Sequence, residues 1–392
     1  MRALSVQIVL GLLSAIVLAG RVVVAAPGGE VIVTDSGKHM SPATYECTPG
    51  HPIEKHTISL DSGKVRYGFG YSGCTDPSHG DKRPNAEGNF GMPEPVPDNW
   101  YWGGFIQVLV NGTDAVGYRV TDMRVTERGA RGAFQVIWAH PDAQVGLRLM
   151  MLPGGNHVMA DLRWWPKAGA TVKTVSVRLT CYPSFFTAAR HRKGERHCRT
   201  PRTDLSEPKT LELVPAQDTY LYYYDNVFDV AKGEGDGPCA ALISPASVQG
   251  GRVNIGDYAV LTDIDLKPEA GQARLGFYDF TGLTNAAADA YLKAHAAGDL
   301  TQLEQTDFRP PAANGLDADA LKSEATKLLA DAAEDGKALQ PQVEGLLSQL
   351  AALKPKAGAG DWGAEADLAD EVESSTDLFW KLRAFAVLNR PE

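Results

Sequence analysis

No stretch of this 392-residue sequence contains the ~20 consecutive apolar residues that a membrane-spanning helix requires. The mature chain is therefore expected to insert no helix into a bilayer. Positive charge is scarce as well: 38 Lys and Arg stand against 48 Asp and Glu, for a net charge of −10. Binding to nucleic acid relies on cations that neutralise phosphates, so nucleic acid is not an expected partner. Two enzyme signatures are missing, the serine-nucleophile elbow and the zinc-protease helix. Cysteine is sparse and odd in number, at five, which leaves at least one thiol without a partner in its own chain.

What is present begins at the N-terminus. Met1-Arg2 supplies charge, residues 8–19 are apolar, and Val24-Ala25-Ala26 are small residues before Pro27. That order is expected of a cleavable secretory signal over residues 1–26. Arg21 follows Leu18-Ala19-Gly20 where a lipid-attachment cysteine would stand, so a lipoprotein is not expected. The expected location is secreted or periplasmic. In an oxidising compartment, Cys47 with Cys74 and Cys181 with Cys198 are the expected pairs, because each closes a short irregular loop; Cys239 is left over. Five free thiols are the alternative.

Residues 30–280 read as strand and turn. Asp-Ser-Gly-Lys occurs twice, at 35–38 and 61–64, each time after a strand-like run. Asp and Ser bond their own backbone there and Gly accepts positive φ. Asn111-Gly112 marks a tight hairpin turn. Strands are expected at 105–110, 117–124, 133–139, 145–152, 157–165, 171–182, 210–214, 219–228, 240–244, 258–266 and 273–280. Within 171–182, Val175, Val177 and Leu179 fall on one face. Many such strands predict a mainly β fold, a large antiparallel β-sandwich over 27–283. Residues 73–99 and 184–207 show no periodicity.

A C-terminal α-helical extension is expected over 284–392. Thr284 is placed to cap a helix at 285–297. Leu321, Leu328, Leu329 and Ala332 form one stripe, and Val343, Leu346, Leu347, Leu350 and Leu353 another, with Gly336 between them. Residues 355–363 read as a linker, followed by a last helix at 377–388. These stripes are expected to be core contacts, with docking of a protein partner as the lesser alternative.

Two chemical signatures are present in form only. Gly68-Phe69-Gly70-Tyr71-Ser72-Gly73 matches the dinucleotide fingerprint, but Cys74-Thr75-Asp76-Pro77 follows as a turn where a helix would be needed. His191, His197 and Cys198, with Glu195, fit no zinc framework, and Arg190, Arg192, Lys193, Arg196 and Arg199 would repel a dication. No cofactor and no metal are expected.

The basic run is notable in an acidic chain. Guanidinium groups meet carboxylate or sulfate oxygens in bidentate fashion, which points to uronic or sulfated sugars; a solvated loop is the plain alternative. Trp100 and Trp102 beside the long loop are candidate sugar-stacking rings, whereas Trp164 and Tyr220, Tyr222, Tyr223 and Tyr224 read as core. Acid–base candidates are Asp76, His79, Asp81, Glu87, Glu94, Asp98, His140, His157, Asp263 and Asp265.

The succession of strands over 57–300, with Leu149-Met150-Met151-Leu152-Pro153-Gly154-Gly155-Asn156-His157 as a central strand–turn–strand and Thr180-Cys181-Tyr182-Pro183 after an alternating strand, resembles the galactose mutarotase-like supersandwich. The resemblance implies a carbohydrate-related sandwich and carries over no catalytic residue. The expected function is recognition of an anionic polysaccharide through Arg190, Arg192, Lys193, Arg196, Trp100 and Trp102. A sugar epimerase, polysaccharide lyase or hydrolase is one alternative, and a structural or assembly protein of the cell envelope is another.

Overall fold

The computed structural model describes residues 29–41, 46–82, 90–94, 100, 104–185, 192–310 and 318–388. The expected signal peptide lies outside them. The chain divides into a unit ending at Phe308 and a unit from Arg309 onward.

The first unit is built on three antiparallel sheets. One comprises β1 (Ile32–Asp35), β2 (His39–Met40), β3 (Glu46–Thr48), β4 (His51–Asp61), β5 (Arg66–Cys74) and β6 (Met92–Glu94), with β4 pairing four of the others along its length. A second, six-stranded sheet comprises β7 (Ile106–Val110), β8 (Thr113–Asp114), β13 (Val175–Cys181), β16 (Thr210–Glu212), β19 (Val248–Ile255) and β20 (Val260–Leu266), in the order β16-β19-β20-β13-β7-β8. The third has nine strands: β9 (Val120–Glu127), β10 (Gly132–Ala139), β11 (Ala143–Met151), β12 (His157–Pro166), β14 (Arg196–Arg199), β15 (Asp204–Ser206), β17 (Tyr220–Asp225), β18 (Cys239–Ile243) and β21 (Gln272–Asp279). Its order is β15-β14-β17-β18-β21-β12-β11-β10-β9.

Period-two alternation explains how these sheets close on one another. Val175, Val177, Leu179 and Cys181 of β13 are buried, and they share a core with Phe134, Leu147, Leu149, Leu275 and Phe277 of the nine-stranded sheet. Ile58, Leu60, Tyr67 and Phe69 of β4 and β5 join the same core. The glycine-rich run 68–73 is thus part of a paired strand, in keeping with its rejection as a nucleotide loop. Local turn chemistry fixes the reversals. Asp35 accepts from Gly37 N at 2.8 Å and Asp61 from Gly63 N at 2.7 Å, the same turn twice. Asn111 and Gly112 both take positive φ, 51° and 79°, between β7 and β8.

Part of the outer face of the nine-stranded sheet is apolar too, and a helix covers that part. Helix α1 (Asn285–Gln305) starts at Thr284, whose hydroxyl accepts from Ala287 N at 3.1 Å. Ala288, Leu292, Ala296 and Leu303 pack on Tyr220, Tyr222, Leu242, Tyr278 and Met159. The first C-terminal helix is therefore part of the sandwich's own unit and runs eight residues past the expected end at 297.

The second unit contains α2 (Ala318–Asp331), α3 (Ala333–Lys337), α4 (Gln340–Gly358) and α5 (Trp362–Leu388). Ala325, Val343, Leu346, Leu350, Leu368, Phe379 and Leu382 form its core. The expected linker at 355–363 is mostly helix. Pro355 lies inside α4, and the chain breaks only at 359–361, where Gly360 takes φ 83° and Asp361 caps α5 through Ala364 N. The chain as a whole is mainly β with C-terminal helices, as the strand and stripe patterns imply.

Candidate functional site

The basic, aperiodic stretch 184–207 contains two strands at the edge of the nine-stranded sheet, β14 and β15. Charge hides the alternation of β14. Arg196 and Cys198 share the buried face, whereas His197 and Arg199 lie on the other side. Arg196 is fully buried, with Nε 3.4 Å from Asp225 Oδ2 and Nη1 donating to the Asp257 carbonyl at 2.7 Å. A cation held this way is part of the interior, so the expectation that Arg196 meets a ligand is corrected.

Trp100 is corrected on the same ground. It is fully buried, its Nε1 donates to the Tyr278 carbonyl at 3.0 Å, and its ring stacks 4.5 Å from Phe105. Arg190 and Trp102 lie outside the described residues. Arg192 and Lys193 are exposed. Of the four expected ligand contacts among the described residues, these two face solvent.

Arg192 opens onto a cavity of about 310 Å³, lined also by Glu195, Asn226, Val227, Phe228, Lys232 and Glu234. The walls come from the turn before β14 and from the loop between β17 and β18. Asn226 N donates to the Glu195 carbonyl at 2.9 Å, which joins the two walls. Phe228 is buried and stacks on Phe185 with ring centroids 5.6 Å apart. Asp229 caps the short turn Val230–Lys232 and also accepts from Asn285 N, anchoring the loop to the start of α1.

The glycines at 233, 235 and 237 make this loop possible. A Cβ on Gly235 would lie 2.1 Å from the Phe228 carbonyl oxygen, and one on Gly237 would lie 2.2 Å from that of Phe280. Both have positive φ, so only glycine allows so close a backbone approach. Asn226, Phe228, Lys232 and Glu234 were not foreseen as cavity residues. The alternating glycines were the one signal in the sequence that could have drawn attention to them.

A polar cluster lies behind Asn226. Its Nδ2 is 3.1 Å from His197 Nε2, and His197 Nδ1 is 3.2 Å from Asp204 Oδ1. The His197 ring stacks on Tyr224 at 4.7 Å, and Tyr224 donates to Asp204 Oδ2 at 2.8 Å. Arg199 donates to the same oxygen at 2.6 Å and pairs with Asp289 of α1 at 2.8 Å. Burial alone would raise the Asp204 pKa. Hydrogen bonds from Arg199, Tyr224 and His197 outweigh that and hold the carboxyl below its usual range. The Tyr224 phenol is pushed up, by burial first and then by Asp204.

Several of the remaining acid–base candidates are held in local structure. Asp76 caps a turn through Ser78, whose hydrogen bonds pull its pKa down to about 2. Asp81 pairs with Arg119, and Asp263 with Arg178. His140 accepts from Asp142 N. His157 is buried against Tyr278, and desolvation lowers its pKa. Asp265 lies on the exposed face of β20, and partial desolvation and then Asp263 raise its pKa. Glu87 and Asp98 lie outside the described residues, as does the side chain of Glu94.

The cysteines divide. Cys47 and Cys74 are bonded, with Cα atoms 5.5 Å apart. The expected bond between Cys181 and Cys198 is absent: both are buried thiols, as is Cys239. Cys181 belongs to the six-stranded sheet and Cys198 to the nine-stranded one, a relation the short loop between them does not reveal. Among the described residues, no group of three or more His, Cys, Asp or Glu side chains could hold a metal ion, and no helix is long and apolar enough to cross a membrane.

No family model matches this chain, and no curated protein matches it. Solved structures do. A ligand-free alpha-N-acetylgalactosaminidase from Bifidobacterium bifidum aligns at 9% identity and TM-score 0.36, over 64% of this chain and 38% of its own. A GH36 alpha-galactosidase from Geobacillus stearothermophilus aligns at 12% identity and TM-score 0.32, over 58% and 40% respectively. An alpha-galactosidase from Lactobacillus brevis aligns at 8% identity and TM-score 0.29, over 68% and 42%. Each alignment spans about two fifths of the neighbour's length.

Proposed function

We propose that this protein is exported and recognises carbohydrate bearing acidic groups, in the cavity between the β14 turn and the β17–β18 loop. The observation that carries the reading is the cavity's lining: two cations, two carboxylates, one amide and one aromatic ring around about 310 Å³. Sugars present many groups that both donate and accept hydrogen bonds, and a polar wall of mixed sign suits them. Arg192, Lys193 and Lys232 are exposed cations for a uronate carboxylate or a sulfate. Export is supported by the charged, apolar, small-residue order of residues 1–26 and by the Cys47–Cys74 bond, a linkage that persists in oxidising compartments. We further infer a galactose mutarotase-like arrangement of the sandwich, supported by its long succession of antiparallel strands.

The test is a binding screen of the protein from Pro27 onward against neutral, uronic and sulfated polysaccharides at low and high salt. Salt-sensitive binding of an acidic glycan is expected. The triple variant Arg192→Ser, Lys193→Ser, Lys232→Ser should weaken it about tenfold, since each exposed ion pair contributes under about 1 kcal/mol. Unchanged affinity in that variant would remove the cavity from the account. A second reading is favoured by Glu195 and Glu234 lining one cavity, because paired carboxyl groups cleave glycosidic bonds. New reducing ends from a bound glycan, lost in Glu195→Gln or Glu234→Gln, would make the protein a hydrolase; none would leave recognition alone.

A further inference from the structure

The three free thiols are not scattered. Cys198 of β14 is the register partner of Tyr223 in β17, and Tyr223 is the register partner of Cys239 in β18. Cys198 and Cys239 are therefore separated by a whole strand, roughly 9–10 Å at the usual strand spacing. A disulfide requires Cα atoms about 4.4–6.8 Å apart, so these two do not pair. Cys181 ends β13 on the opposite sheet and shares the core with both. Burial pushes the Cys239 and Cys198 thiols up, and Cys181 adds to both shifts, through a side-chain hydrogen bond at Cys239 and through charge at Cys198.

The backbone ties the two segments near these cysteines. Asp236 N donates to the Ser184 carbonyl at 2.7 Å. Cys181 precedes Ser184 by three residues and Cys239 follows Asp236 by three, so each cysteine lies three residues along its own segment from this tie. Both are almost fully buried, at 1% and 0% exposure. Small reagents thus reach them only before the sheets close or when they open.

We propose that Cys181 and Cys239 are the protein's second oxidisable pair, which closes into an inter-sheet disulfide when the chain folds in the presence of a small-molecule disulfide. In that step each cysteine loses one proton and the pair gives two electrons to the oxidant. One S–S bond forms between the sheets, the oxidant's S–S bond breaks, and two small thiols leave. Cys198 remains a thiol and accounts for the odd cysteine. The bond would join the two segments already tied at Ser184 and Asp236.

The test is a disulfide map of the full chain. The protein is reduced and unfolded, refolded with reduced and oxidised glutathione, and alkylated. It is then digested without reductant for mass spectrometry. The expected result is a Cys181–Cys239 peptide beside Cys47–Cys74, with Cys198 alkylated only after denaturation. Recovery of a Cys181–Cys198 peptide would overturn the proposal, as would alkylated Cys181 and Cys239 from protein whose Cys47–Cys74 bond has formed. Cys198→Ser retains both partners and should give the same Cys181–Cys239 peptide; its loss in that variant would count equally against the pair.

Discussion

The two faces of the nine-stranded sheet bury side chains of different kinds for different reasons. The inner face meets the six-stranded sheet with Phe134, Leu147, Leu149, Leu275 and Phe277, and its stabilisation is hydrophobic burial and close packing. The outer face is covered in part by α1, over Tyr222, Leu242 and Tyr278, and beside that patch runs a polar row. Arg124, Gln135, Arg148, Asp161 and Arg274 are successive register partners across β9, β10, β11, β12 and β21. Gln135, Arg148 and Asp161 are almost completely buried. Polar groups buried in such a row must be paired, and these are: Arg148 donates to Gln135 Oε1 at 2.9 Å, and Arg163 lies 3.3 Å from Asp161.

The largest effect should come from the inner face. Phe277→Ala removes a fully buried ring that meets Phe105 at 5.1 Å and Trp100 at 6.0 Å. It is expected to cost about 3–5 kcal/mol, read as a lower midpoint in urea denaturation followed by aromatic fluorescence. Leu292→Ala, on the buried side of α1, should cost about 2–3 kcal/mol, because the helix can settle partway into the space. Equal losses for the two would mean that the outer face is as tightly packed as the inner one, and the contrast would fail.

The faces also differ in how legible they were. Features decided within a few residues could be read from the sequence: the paired Asp-Ser-Gly-Lys turns, the Asn111-Gly112 hairpin, the Thr284 cap and the alternation of β13. Features decided by partners distant in the chain could not. β14 was hidden because Arg196 occupies a buried position, which makes sense only beside Asp225. Tyr220, Tyr222 and Tyr224 are buried as expected, but under α1 and not between the sheets. Pro355 reads as a helix breaker, yet α4 continues through it because Leu353 and Ala357 pack against the helical core. The cavity was missed for a similar reason: Asn226, Lys232 and Glu234 converge with Arg192 only because Gly235 and Gly237 let one loop press onto the backbone of another segment.

The mildest test sharpens the contrast at its polar end. Asp204 receives Arg199, Tyr224 and His197 together, and it is partly open to solvent. Asp204→Asn should cost about 1 kcal/mol at neutral pH, the scale of one charge-assisted contact after solvent screening. The sign of its pH dependence follows from the lowered pKa of the folded carboxyl. Stability from its ionised form is present above the unfolded value, near about 3.9, and is lost as pH falls through the lower folded value. Urea midpoints measured from neutral pH down to about pH 2 should therefore fall less steeply in Asp204→Asn than in the parent protein. Parallel curves would mean that Asp204 titrates alike in the folded and unfolded chains. The outer face would then owe its stability to Leu292 and the tyrosines under α1, with the charged cluster behind Asn226 contributing position alone.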